Sequence, residues 1–208
     1  QGMLRPTGLQ KAGAHSSNRR RGAYAKPKTL PVSLHGQGFA TPAVTENLAS
    51  NYPEPVGEHY NIGLLHTNLG DADGHGNYAP SNLSQLVGHG YNYWALGHIH
   101  QRKIHHANPH VVYSGNTQGR HINETGGKGC YLVTVNDELE TAHCHFQELD
   151  SVRWDNVEID CSGLTDEHQV LTTVRDRINK ALNDVDGRLL AIRLTLTGHT
   201  TLHESLHA

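Results

Sequence analysis

The residues of this chain best suited to chemistry are His66 and the run Gly97-His98-Ile99-His100. Imidazole is the commonest metal ligand among side chains. In a segment that stays extended, residues two apart project to the same side, so His98 and His100 are expected to reach one cluster together. The glycine before them permits close backbone approach. Neutral imidazole suits manganese, iron, zinc or nickel. Two cations held about 3.5–4 Å apart can orient a hydroxide and neutralise an anionic substrate. Three histidines cannot hold two such ions, so carboxylates must join them. Richness alone is no argument: the chain has 18 histidines, and most of them read as ordinary surface or structural side chains.

The elements that position these histidines are short and apolar. Asn61-Ile62-Gly63-Leu64-Leu65-His66 is a run bounded by turn residues, the pattern of a buried strand. It ends on His66 and opens into a Gly, Asp, Asn and His loop over 69–80, which contains His75. Loops after buried strands are where sites are usually built. Ser81 to Gly88 predicts a helix. Tyr91 to Leu96 predicts a second buried strand, delivering Gly97-His98-Ile99-His100 into the next loop. Val32 to His35 alternates as a strand, and Thr45 to Ala49 is expected to form a helical turn or two. Val111 to Tyr113, Cys130 to Val135 and Ala142 to Leu149 read as further strands, the last two an antiparallel pair turning at Asn136-Asp137-Glu138.

The C-terminal part reads as a separate β-α-β unit. Val157 to Asp160 alternates as a strand. Thr165 is placed to cap a helix over 166–184, in which Val170, Leu171, Val174, Ile178 and Leu182 recur at helical spacing. Leu189 to Leu196 then forms a strand. The division expected is a disordered or non-native leader over 1–28, a partial catalytic domain over 29–150 and a small cap over 151–208.

Composition limits the alternatives. No run approaches the roughly 20 apolar residues of a membrane helix, and the first residues lack a signal peptide's apolar core, so a cytoplasmic protein is expected. Three cysteines, Cys130, Cys144 and Cys161, are an odd number at spacings that fit no zinc module. A net charge of -3 gives no global attraction to polyanions, and Arg19-Arg20-Arg21, the one dense basic run, reads as a solvated tail.

Taken in order, these motifs resemble the calcineurin-like metallophosphoesterase superfamily. Tyr93-Trp94-Ala95-Leu96-Gly97-His98-Ile99-His100 is similar to its last metal motif, and Leu64-Leu65-His66-Thr67 to the histidine motif before it. Three further strings, Val32 to Phe39, Asn77 to Pro80 and Tyr113 to His121, resemble the bacterial DNA-repair exonuclease branch (SbcD-like, YhaO-type). The resemblance covers roughly residues 30–208. It implies an α/β fold, the C-terminal half of a four-layer β-sandwich carrying a small β-α-β cap. It implies that His66 and His98 bind one divalent cation and His100 another, two ions in the intact family, with Mn2+ expected. The activity implied is metal-dependent exonuclease or phosphodiesterase action on DNA, beside a coiled-coil ATPase subunit and with a homodimer as a further arrangement. Arg120, whose planar fork suits phosphate oxygens, is the first expectation for phosphate contact, with His121 and Asn116 behind it. His35 is expected to be structural, and His75 a surface residue.

The family's upstream motifs, Asp-x-His, Gly-Asp and Gly-Asn-His-Asp, are not in this sequence. Gly13-Ala14-His15-Ser16 is the nearest echo of the third and lacks its Asn and Asp. The expectation is therefore an N-terminally incomplete domain, weakly active or inactive, with no assignable catalytic acid. Two other classes stay open: a phosphoesterase acting on a small nucleotide or a phosphoprotein, and a non-catalytic fragment or scaffold subunit.

Overall fold

The computed structural model describes residues 23–25, 30–39, 44–70 and 79–206. The leader expected over 1–28, apart from Ala23–Ala25, and most of the loop over 69–80, with His75, lie outside the described residues, as does His15. The chain is mixed α/β and divides into two compact units, one of 1–115 with 131–146 and one of 116–130 with 147–208. This division differs from a boundary at 150. The segment 116–130 goes with the C-terminal unit, because its loop hydrogen-bonds to the strand that begins that unit.

The first unit is organised by a six-stranded sheet. Its strands are β1 (Ala23–Ala25), β2 (Val32–Gly36), β3 (Tyr60–His66), β4 (Tyr93–Gly97), β5 (Lys103–Ala107) and β6 (His110–Tyr113), in the order β1-β2-β3-β4-β6-β5. β2, β3, β4 and β6 are mutually parallel, and β1 and β5 run antiparallel at the two edges. Strand alternation sends side chains to two covered faces. Leu65, Trp94, Leu96, Val111 and Tyr113 pack on one face with Leu48, Ala49, Tyr52, Leu86 and Tyr91. Leu48 and Ala49 lie in a 3-10 turn, Leu48–Asn51, and Leu86 in helix α1 (Leu83–Gly88), which Asn82 caps by accepting from the Ser84 N–H. On the other face Tyr60, Tyr93 and Val112 meet Tyr131, Val133 and Cys144 of a hairpin. That hairpin joins β7 (Gly129–Val135) to β8 (Thr141–Glu148).

Trp94 is the centre of the first face and is fully buried. Its indole N–H donates to the Leu86 carbonyl at 2.9 Å. It stands opposite Gly63 in the β3–β4 register, and a Cβ on Gly63 would collide with the ring. A glycine inside a central strand is thus explained by the tryptophan beside it.

The second unit pairs β9 (Val152–Asp160) in parallel with β10 (Leu189–Thr197), joined through helix α2 (Glu167–Asn183). A short helix α3 spans His203–Leu206. Val157, Ile159, Cys161 and Val170 form its core. Asp166, not Thr165, caps α2: its carboxylate accepts the Gln169 N–H at 2.9 Å, while Gln169 Oε1 accepts from the Thr165 N–H. Among the described residues no helix is long and apolar enough to cross a membrane.

Candidate metal centre and the loop beyond it

His66 ends β3, and Gly97 opposite it ends β4. A Cβ on Gly97 would approach His66 Nδ1 to 3.1 Å, so this glycine leaves room for the imidazole across the strand pair. His98 follows directly, and the His66 and His98 rings meet edge-on with centroids 5.2 Å apart. Phe39 stands edge-on to His66 at 5.4 Å. Two strand-end histidines therefore share one corner of the sheet.

The chain beyond is held firmly. The Thr67 N–H donates to the Gly97 carbonyl, and the Tyr113 hydroxyl donates to the Thr67 carbonyl at 2.8 Å while accepting the Leu69 N–H. The Thr67 hydroxyl donates to Ala79 O at 2.7 Å and lies 2.8 Å from the Ser81 hydroxyl. Sequence reasoning missed Tyr113 and Ser81 as supports of the turn after His66. Nothing in their local pattern marks them, because their partners are 46 and 14 residues away.

His98 and His100 do not lie on one extended strand. β4 ends at Gly97, and His98 has φ = 105°, a left-handed backbone that non-glycine residues rarely adopt. The turn breaks the alternation, packs Ile99 against the apolar core and leaves His100 exposed. Gly115, at φ = 74°, faces the His100 carbonyl so closely that a Cβ there would lie 2.6 Å from it. Among the described residues no three of His, Cys, Asp and Glu are grouped to hold a metal ion. His66 and His98 fit as two nitrogen donors to one cation.

The expected phosphate contacts have a common organiser that the sequence did not suggest, Glu124, which is buried. Its Oε2 accepts from Asn116 Nδ2 at 3.0 Å and from the Arg120 N–H at 2.8 Å. Arg120 Nη2 and His121 Nε2 lie 3.7 and 3.5 Å from Oε1. The loop is tied to β9 through Gln118, which donates to Val152 O at 2.7 Å, and through Trp154, whose indole N–H donates to Gly119 O at 2.9 Å. Asn116, Arg120 and His121 are thus brought together, around a carboxylate.

His35 is buried, hydrogen-bonds Asn61 Oδ1 at 2.8 Å and stacks on Tyr91 at 4.3 Å. Burial holds its imidazole below the usual value. This is a structural histidine inside the sheet.

Two comparisons bear on this arrangement. Residues 154–208 match the family model of the middle domain of metallophosphoesterase YhaO. The chain is also 37% identical over 169 residues, 80% of its length, to an uncharacterized metallophosphoesterase YhaO of Bacillus subtilis (strain 168). It spans 40% of the length of that relative. Both matches support the metallophosphoesterase family.

Proposed function

We infer that this chain is the histidine-bearing part of a metallophosphoesterase, in which His66 and His98 give two imidazoles to a divalent cation at the ends of β3 and β4. The observation that carries this is the meeting of their rings 5.2 Å apart on adjacent parallel strands. Parallel α/β sheets place ligands beyond the carboxyl ends of their strands. The φ of 105° at His98 adds to this, since backbone strain concentrates where a side chain must be aimed. His100 is assigned to a second cation, with Mn2+ as the expected metal and carboxylates supplied from outside the described residues. Such a pair, when bound, supplies a metal-activated water and neutralises phosphate charge. The chain's own residues hold the corner: Gly97 gives His66 room, and Thr67 and Tyr113 fix the turn behind it.

We propose DNA as the substrate of the intact enzyme, in a cytoplasmic DNA-repair role beside a coiled-coil ATPase, with a homodimer as its assembly. The order of motifs and the string from Tyr113 to His121 support that branch, for which we propose a four-layer sandwich as the fold of the intact domain. A non-catalytic product is the second reading. It is favoured by Glu124, which already engages Arg120 and Asn116.

Mn2+ binding to the chain, followed by calorimetry and by electron paramagnetic resonance, tests the metal site. His66→Ala and His98→Ala are each expected to weaken binding about tenfold or more. Mn2+ binding that is unchanged in the double variant would remove the proposal. Hydrolysis of linear duplex DNA, a mononucleotide and a phosphopeptide with Mn2+ separates the substrate classes, and no turnover of any of them favours the non-catalytic product.

A further inference from the structure

The chain has two His-x-His runs, His98-Ile99-His100 and His143-Cys144-His145. Only the second lies inside a regular strand. β8 spans Thr141–Glu148, and within it His143, His145 and Gln147 are exposed while Cys144 and Phe146 are partly buried. Cys144 packs against the Tyr60, Tyr93 and Val112 cluster, and Phe146 lies under the Arg102 guanidinium at 3.8 Å and edge-on to Tyr131. The two histidines therefore stand side by side on the solvent face, and the thiol between them is on the other.

We propose that His143 and His145 form a two-imidazole chelate for a borderline divalent transition-metal cation, Cu2+ foremost and Ni2+ after it. Two residues of strand rise separate the side-chain bases by about 6.6 Å. Two adjacent nitrogens on a square-planar or tetragonal metal, at bonds of about 2.1 Å, lie about 3.0 Å apart. Each ring has only to lean roughly 1.8 Å toward the other, which two free side-chain torsions supply at an exposed position. Nitrogen-only donation selects metals by the Irving–Williams order, which places Cu2+ above Ni2+ and Zn2+. No third His, Cys, Asp or Glu joins the pair among the described residues, so the remaining positions stay open to water or an external ligand. The site is separate from the corner of His66 and His98, which lies at the strand ends of the six-stranded sheet.

The test is Cu2+ and Ni2+ titration of the 208-residue chain by calorimetry, with free imidazole present to silence isolated histidines. A His66→Ala/His98→Ala background removes the imidazoles of the strand-end corner, and one binding event is expected in it. That event is expected to be lost when His143→Ala/His145→Ala is added and weakened about tenfold or more by either change alone, as one arm of a chelate is removed. The Cu2+ resonance spectrum should show two coupled imidazole nitrogens in the background chain and one when either His143 or His145 is replaced. Thermal melts by circular dichroism are expected to be unchanged by the changes at His143 and His145, because both side chains are exposed. Binding retained when both are replaced, or absent from the background chain, overturns the proposal.

Discussion

Both units set parallel strands side by side, yet β4 and β10 live in opposite surroundings. β4 is covered on both faces: Trp94 and Leu96 are buried on one and Tyr93 on the other. β10 has one neighbour, β9, and its Leu189, Leu194 and Leu196 are exposed. Parallel sheets are normally covered on both faces, and the first unit achieves this with aromatic side chains. The second has a small apolar core and relies on buried ionic and polar ties. Arg153 grips Asp150 through Nε and Nη2, both at 2.9 Å, and Nη2 also reaches Glu148 at 2.7 Å. The difference separates two ways of holding a strand end in place, by packing and by charge.

The largest expected effect is on the packed side. Trp94→Ala should cost about 3–5 kcal/mol, because the ring is fully buried and its N–H is used. Urea denaturation measures it, and a loss below about 1 kcal/mol would mean that the first unit does not depend on this ring. The charged side should respond nearly as strongly. Asp150→Asn leaves Arg153 and Arg188 without their buried carboxylate and should cost about 3 kcal/mol. Burial pushes the Asp150 carboxyl up, but the Arg153 hydrogen bonds and charge and the backbone N–H donors outweigh it, holding the group below its ordinary value. A carboxyl lowered on folding stabilises the protein above its unfolded value, near pH 3.9. That contribution is lost as pH falls through the lowered folded value. Wild-type stability should therefore drop in this acid range and that of Asp150→Asn should drop less, as urea midpoints across the range will show.

Glu124→Gln should cost less, about 1–2 kcal/mol, since the amide keeps the geometry and weakens the bonds to Asn116 and the Arg120 N–H. Faster hydrogen exchange at the Arg120 amide is the local readout. An unchanged exchange rate would mean that the loop is held by Gln118 and Trp154 alone.

The site-bearing strands were legible because a run buried on both faces is nearly continuous in sequence and stops where polar residues begin. Hence His66 stands at a strand end as expected, and β4 runs one residue further than expected, to Gly97. α2 forms where its apolar residues recur, but Leu171 and Leu182 of that set are exposed, and Val170 and Ala181 are the residues it buries. The turn at His98 was not legible: its φ is imposed by Ile99 packing on the core and by the Gly115 backbone beside the His100 carbonyl, contacts with no local signature. β5, Lys-Ile-His-His-Ala, carries no alternation of its own and exists because β6 offers an edge. β9 begins at Val152 rather than Val157 because β10 pairs along its whole length. Glu124 was invisible as a buried carboxylate, since its exclusion from water depends on the loop folding over it.

The smallest expected effect tests the exposed side of the comparison. Leu194→Thr replaces a side chain 38% exposed on β10 by one that keeps the β-branched preference of a strand. A surface substitution of this kind changes stability by about 0.5 kcal/mol or less. Urea denaturation of the wild type and the variant at two protein concentrations measures it. Equal curves confirm that this face of β10 meets water. A loss well above that size, or one that grows with concentration, means that a second copy covers the leucines and that β10 is packed as β4 is.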